Sequence, residues 1–212
     1  MAYESAVILC DGRKPPKKQF IASVNKSSMF IAADGGANIA NKLNIKPDVI
    51  IGDFDSYKPV DQGGVTIIRD TDQETNDLEK ALNYILGQHI NRVEIYGAFG
   101  QRLDHTLKNL SVLKRYNDKF RKIVFIDKYG VSFLLPPHYS ARLPVGTTIS
   151  LYPLKGSVEG IRTKGLEFPL DSETLEIGKR DGTSNRTLED QIEIIHESGD
   201  LLIFIATLKQ GH

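Results

Sequence analysis

The stretch KPDVIIGDFDS, residues 46–56, places two acidic residues directly after a predicted strand. Its apolar run at 49–51 is typical of a parallel strand that is covered on both faces. In an open α/β sheet, ligands bind outside the carboxyl ends of such strands. If the segment stays extended, Asp53 and Asp55 point the same way while Phe54 turns back toward the protein. Two convergent carboxylates suit a hard cation such as Mg²⁺, although a polar turn explains the same residues equally well.

The first two thirds of the chain alternate apolar runs with helical patterns. The clearest helix follows Asn76, which can cap it with Glu79 in the capping-box position. Further helical spacing follows residues 37 and 103. This alternation predicts a doubly wound, mostly parallel sheet. The predicted strands lie at 6–10, 29–33, 49–51, 65–68, 92–96, 123–126 and 131–135.

The pattern changes after Pro136 and Pro137. Beyond residue 139, short β-rich segments alternate with turns, without a convincing amphipathic helix. They predict a small antiparallel β-sandwich or barrel. We therefore expect an α/β domain at 1–136 and a smaller antiparallel β-sandwich domain at 137–212. The predicted strands of the second domain lie at 147–152, 158–163, 173–177, 192–196 and 201–207.

Net charge, cysteine count and the lengths of apolar runs limit the partners and the cell compartment that can be expected. The 212 residues include 27 Lys and Arg and 27 Asp and Glu, so net charge gives no reason to expect a nucleic-acid or membrane partner. The single cysteine, Cys10, excludes an internal disulfide framework and reads as a core hydrophobe. The N-terminus lacks the features of a signal peptide, and no apolar run approaches the ~20 residues that cross a bilayer. A cytoplasmic protein is expected.

Acidic residues recur where predicted strands end or the following helices begin. A sheet brings such positions to one edge, where their mutual repulsion requires cations. Nearby glycines, among them Gly35 and Gly52, allow the backbone to approach a phosphate chain closely. The P-loop and GxGxxG signatures are absent, so the residues predict a magnesium–polyphosphate site and leave the acceptor open. The acidic residues are Asp34, Asp53, Asp55, Asp72, Asp77 and Asp104.

Six motifs together resemble those of the thiamin pyrophosphokinase family. Their order is the family's order, and they cover nearly the whole chain. The combination is more specific than any single motif. They read AADGGAN at 32–38, PDVIIGDFDS at 47–56, DQETNDLEKAL at 72–82, GAFGQRLDHTLKNL at 97–110, KGLEFPL at 164–170 and TSN at 183–185.

This resemblance implies Mg²⁺-dependent transfer of pyrophosphate from ATP to the hydroxyl of thiamine, giving thiamine diphosphate and AMP. It also implies an ATP-binding α/β domain, a thiamine-binding β-sandwich and a homodimer with thiamine near the subunit interface. Asp53, Asp55 and Asp77 would be the metal ligands, and the catalytic set would add Asp104. The other expected binding residues are Asp34, Gly35, Gly52, Gln73 and Arg102 for the nucleotide, and Phe168, Ser184 and Asn185 for thiamine.

Some positions depart from the family pattern or have ordinary explanations. Gln101 follows Gly100 where the family often has two glycines, and Phe168 stands where tryptophan is frequent. Asp77 and Asp104 could be simple first-turn helix acids. Lys80 could reach a phosphate or lie on a solvated helix face. Two alternative functions remain: a pyrophosphokinase for another heterocyclic alcohol, such as a hydroxymethylpterin, and a nucleotide-binding sensor without catalysis.

Overall fold

The computed structural model describes residues 5–58 and 63–207 of the chain. Its internal contacts divide the chain into two units, Met1–Lys128 and Tyr129–His212. Within the described ranges, no helix is both long enough and apolar enough to span a bilayer.

Unit 1 alternates strands and helices along its described residues. The strands are β1 (Ser5–Leu9), β2 (Met29–Ala33), β3 (Val49–Gly52), β4 (Thr66–Arg69), β5 (Arg92–Tyr96) and β6 (Lys122–Ile126). The helices are α1 (Lys17–Lys26), α2 (Gly36–Leu43), α3 (Asp77–Leu86) and α4 (Leu103–Tyr116), with a 3₁₀ turn at Asn117–Lys119.

The sheet of unit 1 has the order β4-β3-β2-β1-β5-β6, and every neighbouring pair is parallel. This confirms the predicted mixed α/β fold with a mostly parallel sheet. The chain first steps outward from β1 to β4 and then returns to place β5 on the other side of β1. The direction of winding therefore switches between β1 and β5, which is where an open α/β sheet forms its ligand crevice.

Helices cover this sheet and complete its core. α2 packs on β1 and β2, while α3 packs across β1, β2 and β3. Because parallel crossovers are right-handed, α1 and α2 lie on one face and α3 and α4 on the other. The apolar stripe that predicted α3 is buried at Leu78, Ala81, Leu82 and Ile85. The sequence pattern thus identified the face of α3 that holds it against the sheet.

The first helix, α1, was not expected from the sequence. It begins after Pro16, has no side-chain cap and carries no acidic residue in its first turn. Phe20 is its one buried residue, and the ring packs edge-on against Phe30 and Tyr96. A helix anchored by a single aromatic side chain shows too weak a stripe to be recognised by periodicity.

Unit 2 consists of strands and turns across its described residues, 129–207. All its strand pairs are antiparallel: β9 pairs with β10, β11, β12 and β13, β7 pairs with β13, and β8 with β12. The strands are β7 (Gly130–Leu134), β8 (His138–Arg142), β9 (Thr148–Lys164), β10 (Asp171–Glu176), β11 (Gly182–Arg186), β12 (Gln191–Ile195) and β13 (Ser198–Ala206).

Three details of unit 2 differ from the sequence-based expectation. The segments predicted at 147–152 and 158–163 are one long strand, β9, because ladder pairing with β13 continues through the residues between them. The polar strands β8 and β11 were missed, since neither shows an apolar run. The contact division falls after Lys128 and not after Pro136, because β7 pairs with β13 and so belongs to unit 2.

Candidate active site

A cavity of about 250 Å³ opens at the carboxyl ends of the parallel strands in unit 1. Its walls come from the segments after β1, β2 and β5 and from the first turns of α3 and α4. Three aspartates line it, Asp11, Asp34 and Asp77, together with Arg102. The cavity therefore lies at the switch point that the strand order identifies, and its lining is acidic.

Asp34 is the most buried of these acids, at 4% exposure. Its Oδ2 accepts a hydrogen bond of 3.1 Å from the Ser56 backbone N–H. Its Oδ1 has no hydrogen-bond partner among the described residues. Gly52 makes room for this side chain, since a Cβ there would lie 2.7 Å from the Asp34 Cβ. A buried carboxylate oxygen without a donor is costly in water-free surroundings and is well placed to meet a cation.

Asp77 lies in the first turn of α3, as predicted. Asn76 accepts from the Glu79 N–H at 3.0 Å, and Glu79 accepts from the Asn76 N–H at 3.2 Å, which confirms the capping box. Burial raises the pKa of Asp77, nearby Lys80 opposes the rise, and the charges of Asp34 and Asp53 add to it. The structure thus brings Asp34 and Asp53 each within electrostatic range of Asp77.

The segment after β3 does not stay extended, so the condition under which Asp53 and Asp55 would point the same way is not met. Phe54 adopts the left-handed region at φ +67°, and its ring packs toward Tyr57. The Asp53 carboxylate accepts from the Asp55 N–H at 3.1 Å, an Asx-type turn. Asp53 is half-buried while Asp55 is exposed. Within the described ranges no group of three Asp, Glu, His or Cys side chains is assembled to hold a metal ion.

Asp11 is a cavity residue that sequence reasoning missed. It follows β1 and precedes Gly12, so it shows the same strand–acid–glycine signal that identified Asp34. Partial burial raises the pKa of Asp11, the charge of Asp34 adds to the rise, and Lys42 opposes it. Counting every strand end in the same way would have found this residue.

Asn109 was also missed, and its position on α4 gives no sequence signal. Its Nδ2 donates to the Ala98 carbonyl at 2.7 Å, and its Oδ1 accepts from Asn76 Nδ2 at 3.0 Å. This buried amide joins the first turn of α3 to the segment after β5. It therefore fixes two walls of the cavity relative to each other.

Three further residues that were predicted to contact the nucleotide are exposed: Arg102, Asp104 and Gln73. Arg102 lines the cavity and forms a two-pronged ion pair with Asp104, with Nη2–Oδ2 at 2.5 Å and Nε–Oδ1 at 3.1 Å. This pairing lowers the pKa of Asp104. Gly35 lies in the lining, whereas Gln73 bonds the Thr71 carbonyl in an exposed turn and does not line the cavity.

Lys80 is buried beside Asp77. Its side chain is 2% exposed, so it does not lie on a solvated face. The ammonium donates to the Asp70 carbonyl at 2.9 Å and lies 3.5 Å from Asp77 Oδ1. These contacts hold the segment before α3 against the helix and place a positive charge beside Asp77.

In unit 2, Phe168 is 64% exposed, which is unusual for a large aromatic side chain. Its backbone is nevertheless held on both sides by buried Asn185. Asn185 Oδ1 accepts from the Phe168 N–H at 3.0 Å, and Nδ2 donates to the Phe168 carbonyl at 2.7 Å. Ser184 is exposed, and its N–H donates to Ser150 Oγ at 3.0 Å. Phe168 and Ser184 thus lie at the surface, whereas the Asn185 amide is hydrogen-bonded to the Phe168 backbone.

Comparison with known proteins identifies the chain's relatives. The family model "Thiamin pyrophosphokinase, catalytic domain" matches residues 20–125, and "Thiamin pyrophosphokinase, vitamin B1 binding domain" matches residues 138–201. The chain belongs to the thiamin pyrophosphokinase family. Thiamine pyrophosphokinase 2 of Arabidopsis thaliana is 32% identical over 217 residues, covering 87% of this chain and 80% of that protein. Thiamin pyrophosphokinase 1 of Caenorhabditis elegans is 27% identical, covering 87% and 81%.

Solved structures of thiamin pyrophosphokinases share the fold. The Candida albicans protein superposes with a TM-score of 0.87 at 20% identity, covering 96% of this chain and 89% of that one. The Bacillus subtilis protein gives 0.84 at 21% identity, covering 97% and 100%. The family resemblance that the six motifs carried is therefore confirmed, and with it the assignment as an enzyme of the pyrophosphokinase class.

Proposed function

We propose that this chain transfers the pyrophosphoryl group of ATP to the hydroxyl of thiamine, giving thiamine diphosphate and AMP. One observation carries the proposal: an acidic cavity lies at the sheet's switch point, and most of its lining residues fall in the segment that matches the family's catalytic domain. The match to the vitamin B1 binding domain in unit 2 supports thiamine as the acceptor.

The acidic residues of unit 1 fit a divalent cation, and we propose Mg²⁺. The fit rests on the Oδ1 of Asp34, which has no hydrogen-bond partner among the described residues, and on the repulsion that Asp34 and Asp53 each exert on Asp77. Asp53, Asp55 and Asp77 are the proposed ligands. Asp55 is the most exposed of the three. When bound, the metal supplies charge neutralisation between these carboxylates and the phosphates of ATP.

The nucleotide would lie along the glycine-bearing segments of the cavity. Gly35 and Gly52 allow close approach, and Arg102 offers a guanidinium to the phosphates when it leaves Asp104. We propose Asp104 and Gln73 as further contacts, reached only if their exposed segments close over the nucleotide. Phosphoryl transfer depends mainly on position and charge neutralisation, so these side chains orient ATP while a cavity aspartate accepts the thiamine proton.

For the acceptor, we propose that Phe168 stacks on thiamine and that Ser184 contacts it. An exposed phenyl ring suits a flat aminopyrimidine and a cationic thiazolium. The thiamine-binding part would be a two-layer β-sandwich, since both ladders that share β9 contribute to one core that includes Ile149, Val158 and Ile192. A homodimer with thiamine near the subunit interface and a cytoplasmic location complete the proposal.

The deciding experiment measures AMP release from ATP and Mg²⁺ with thiamine, with hydroxymethylpterin and with no acceptor. AMP that forms only with thiamine, together with thiamine diphosphate in equal amount, supports the proposal. AMP that forms only with the pterin assigns the alternative acceptor. Binding of ATP without AMP formation from any acceptor assigns a nucleotide sensor.

A further inference from the structure

The segments after β1 and β5 are joined well beyond the ends of the two strands. Hydrogen bonds run from the Cys10 N–H to the Tyr96 carbonyl at 2.8 Å, from Gly12 to Gly97 at 2.9 Å and from Arg13 to Phe99 at 2.7 Å. These rungs form the floor and one wall of the cavity, because Gly12 and Gly97 are both lining residues. We call this contact, between residues 10–13 and 97–101, the β1–β5 wall.

Backbone packing makes the β1–β5 wall tight. A Cβ on Gly97 would lie 2.2 Å from the Cys10 carbonyl oxygen, and a Cβ on Gly12 would lie 2.1 Å from that of Gly97. Both distances are shorter than real Cβ contacts, so these positions accept only glycine. The wall therefore depends on close backbone approach, and small displacements of either segment would open it.

Gln101 closes this wall with a side chain. Its Nε2 donates to the Asp11 carbonyl oxygen, which lies on the opposite segment. Its backbone has φ +57°, a left-handed conformation that a residue with a Cβ adopts only at a cost of about 1 kcal/mol or more. Strained backbone of this kind persists when surrounding contacts hold it, and the bond to Asp11 is such a contact.

The position of Gln101 in the chain gives the bond a functional meaning. The next residue, Arg102, is the N-cap of α4 and lines the cavity. We propose that Gln101 is a positioning residue: by tying the β5 segment to Asp11, it fixes the point from which Arg102 reaches the phosphates of ATP. The catalytic consequence of this inference rests on the proposed function, whereas the hydrogen bond between Gln101 and Asp11 is independent of it.

The matched test replaces Gln101 by methionine, which has similar length and no donor, and Gln88 by methionine as a control at an exposed site of unit 1. Loss of one hydrogen bond should speed exchange of the Arg13 amide by about fivefold to tenfold. Amides of β1 should keep their wild-type rates. The value of kcat/KM for ATP should fall about tenfold in Gln101→Met, since Arg102 is no longer fixed. The KM for thiamine should not change in Gln101→Met. In Gln88→Met, neither the kcat/KM for ATP nor the KM for thiamine should change.

Two results would overturn the proposal. One is wild-type exchange of the Arg13 amide in Gln101→Met, which means that the side chain does not hold the wall. The other is an equal loss for ATP and thiamine with faster exchange throughout unit 1, which means that Gln101 has only a structural role. If the wild-type protein forms no AMP with thiamine, the proposed function fails, and the Arg13 exchange rate still decides whether Gln101 ties the two segments.

Discussion

Replacing Asn185 by alanine tests how unit 2 holds an aromatic side chain in solvent. The Asn185 amide is buried and pairs with both the N–H and the carbonyl of Phe168, at 3.0 and 2.7 Å. Its Oδ1 also accepts from the Arg186 N–H at 2.8 Å. The side chain thus takes the place of a neighbouring strand, and both of its polar atoms bond to protein backbone.

The expected stability loss follows from these three hydrogen bonds. Each contributes about 1 kcal/mol net, and water can reach part of the exposed Phe168 backbone after truncation, so we expect a loss of about 2 kcal/mol. For a chain of 212 residues this corresponds to a fall in Tm of roughly 4–8 °C. The exposed Thr174→Ala on β10 is the control, and its Tm should stay within about 1 °C, since surface substitutions change stability little.

The effect on steady-state kinetics shows whether Asn185 acts by holding Phe168 or by contacting thiamine itself. If Asn185 acts through Phe168, Asn185→Ala should raise the KM for thiamine about tenfold, the effect of losing about 1.4 kcal/mol of binding, and leave the KM for ATP unchanged. In a Phe168→Ala background the same change should add little to the KM for thiamine and still lower Tm. Steady-state kinetics of the four proteins in this double-mutant cycle measure the coupling.

Additive effects on the KM for thiamine would refute this reasoning, because independent contributions mean that Asn185 touches the ligand itself. An unchanged Tm in Asn185→Ala would refute it as well. In that case the three hydrogen bonds contribute nothing net, and Phe168 is held by other contacts.

Three further predictions concern single residues. Asp53→Ala should lower kcat by orders of magnitude, because a proposed metal ligand is lost, while circular dichroism and Tm show an intact fold. Glu79 is buried, which would raise its pKa, but ion pairs with Lys108 and Arg115 and the Asn76 N–H hold that pKa below its ordinary value of 4.5. The Glu79 carboxylate therefore stabilises the fold above pH 4.5. In urea unfolding, the free energy of unfolding of Glu79→Gln should fall less than that of the wild type as the pH is lowered below that value. His196→Leu should raise stability by about 1 kcal/mol in the same assay, since both ring nitrogens are buried without a hydrogen-bond partner among the described residues.

The parallel half of the fold was predictable because its signals are local. Each strand of unit 1 carries apolar residues and is followed by an acidic or glycine turn, and α3 shows a stripe that matches the face it buries. Helix α1 lacks such a signal, since a single ring anchors it. In unit 2 the polar strand β11 exists because β9 pairs with it, and pairing between distant residues leaves no local pattern.

Site residues divide in the same way. Asp34 and Asp77 were predictable because Asp34 follows a strand and Asp77 begins a helix. Asp11 also follows a strand, so the same observation could have identified it. The amide of Asn109 and the ammonium of Lys80 act through contacts that only the folded chain creates. A lysine four residues along an amphipathic helix from its cap normally reads as solvated, and here the neighbouring loop covers it.

Two non-glycine residues with positive φ line the cavity, Asp34 at +39° and Gln101 at +57°, and a third, Phe54 at +67°, lies two residues before the lining residue Ser56. Each conformation costs on the order of 1 kcal/mol or more, and the nearby carboxylates repel one another as well. Such costs persist only where the rest of the fold outweighs them, and here the covered parallel sheet and the capping box of α3 do so. Backbone strain and carboxylate repulsion are therefore found together at the cavity. A cation bound to its carboxylates would relieve repulsion that the protein alone leaves in place, so metal binding and stability of unit 1 are coupled.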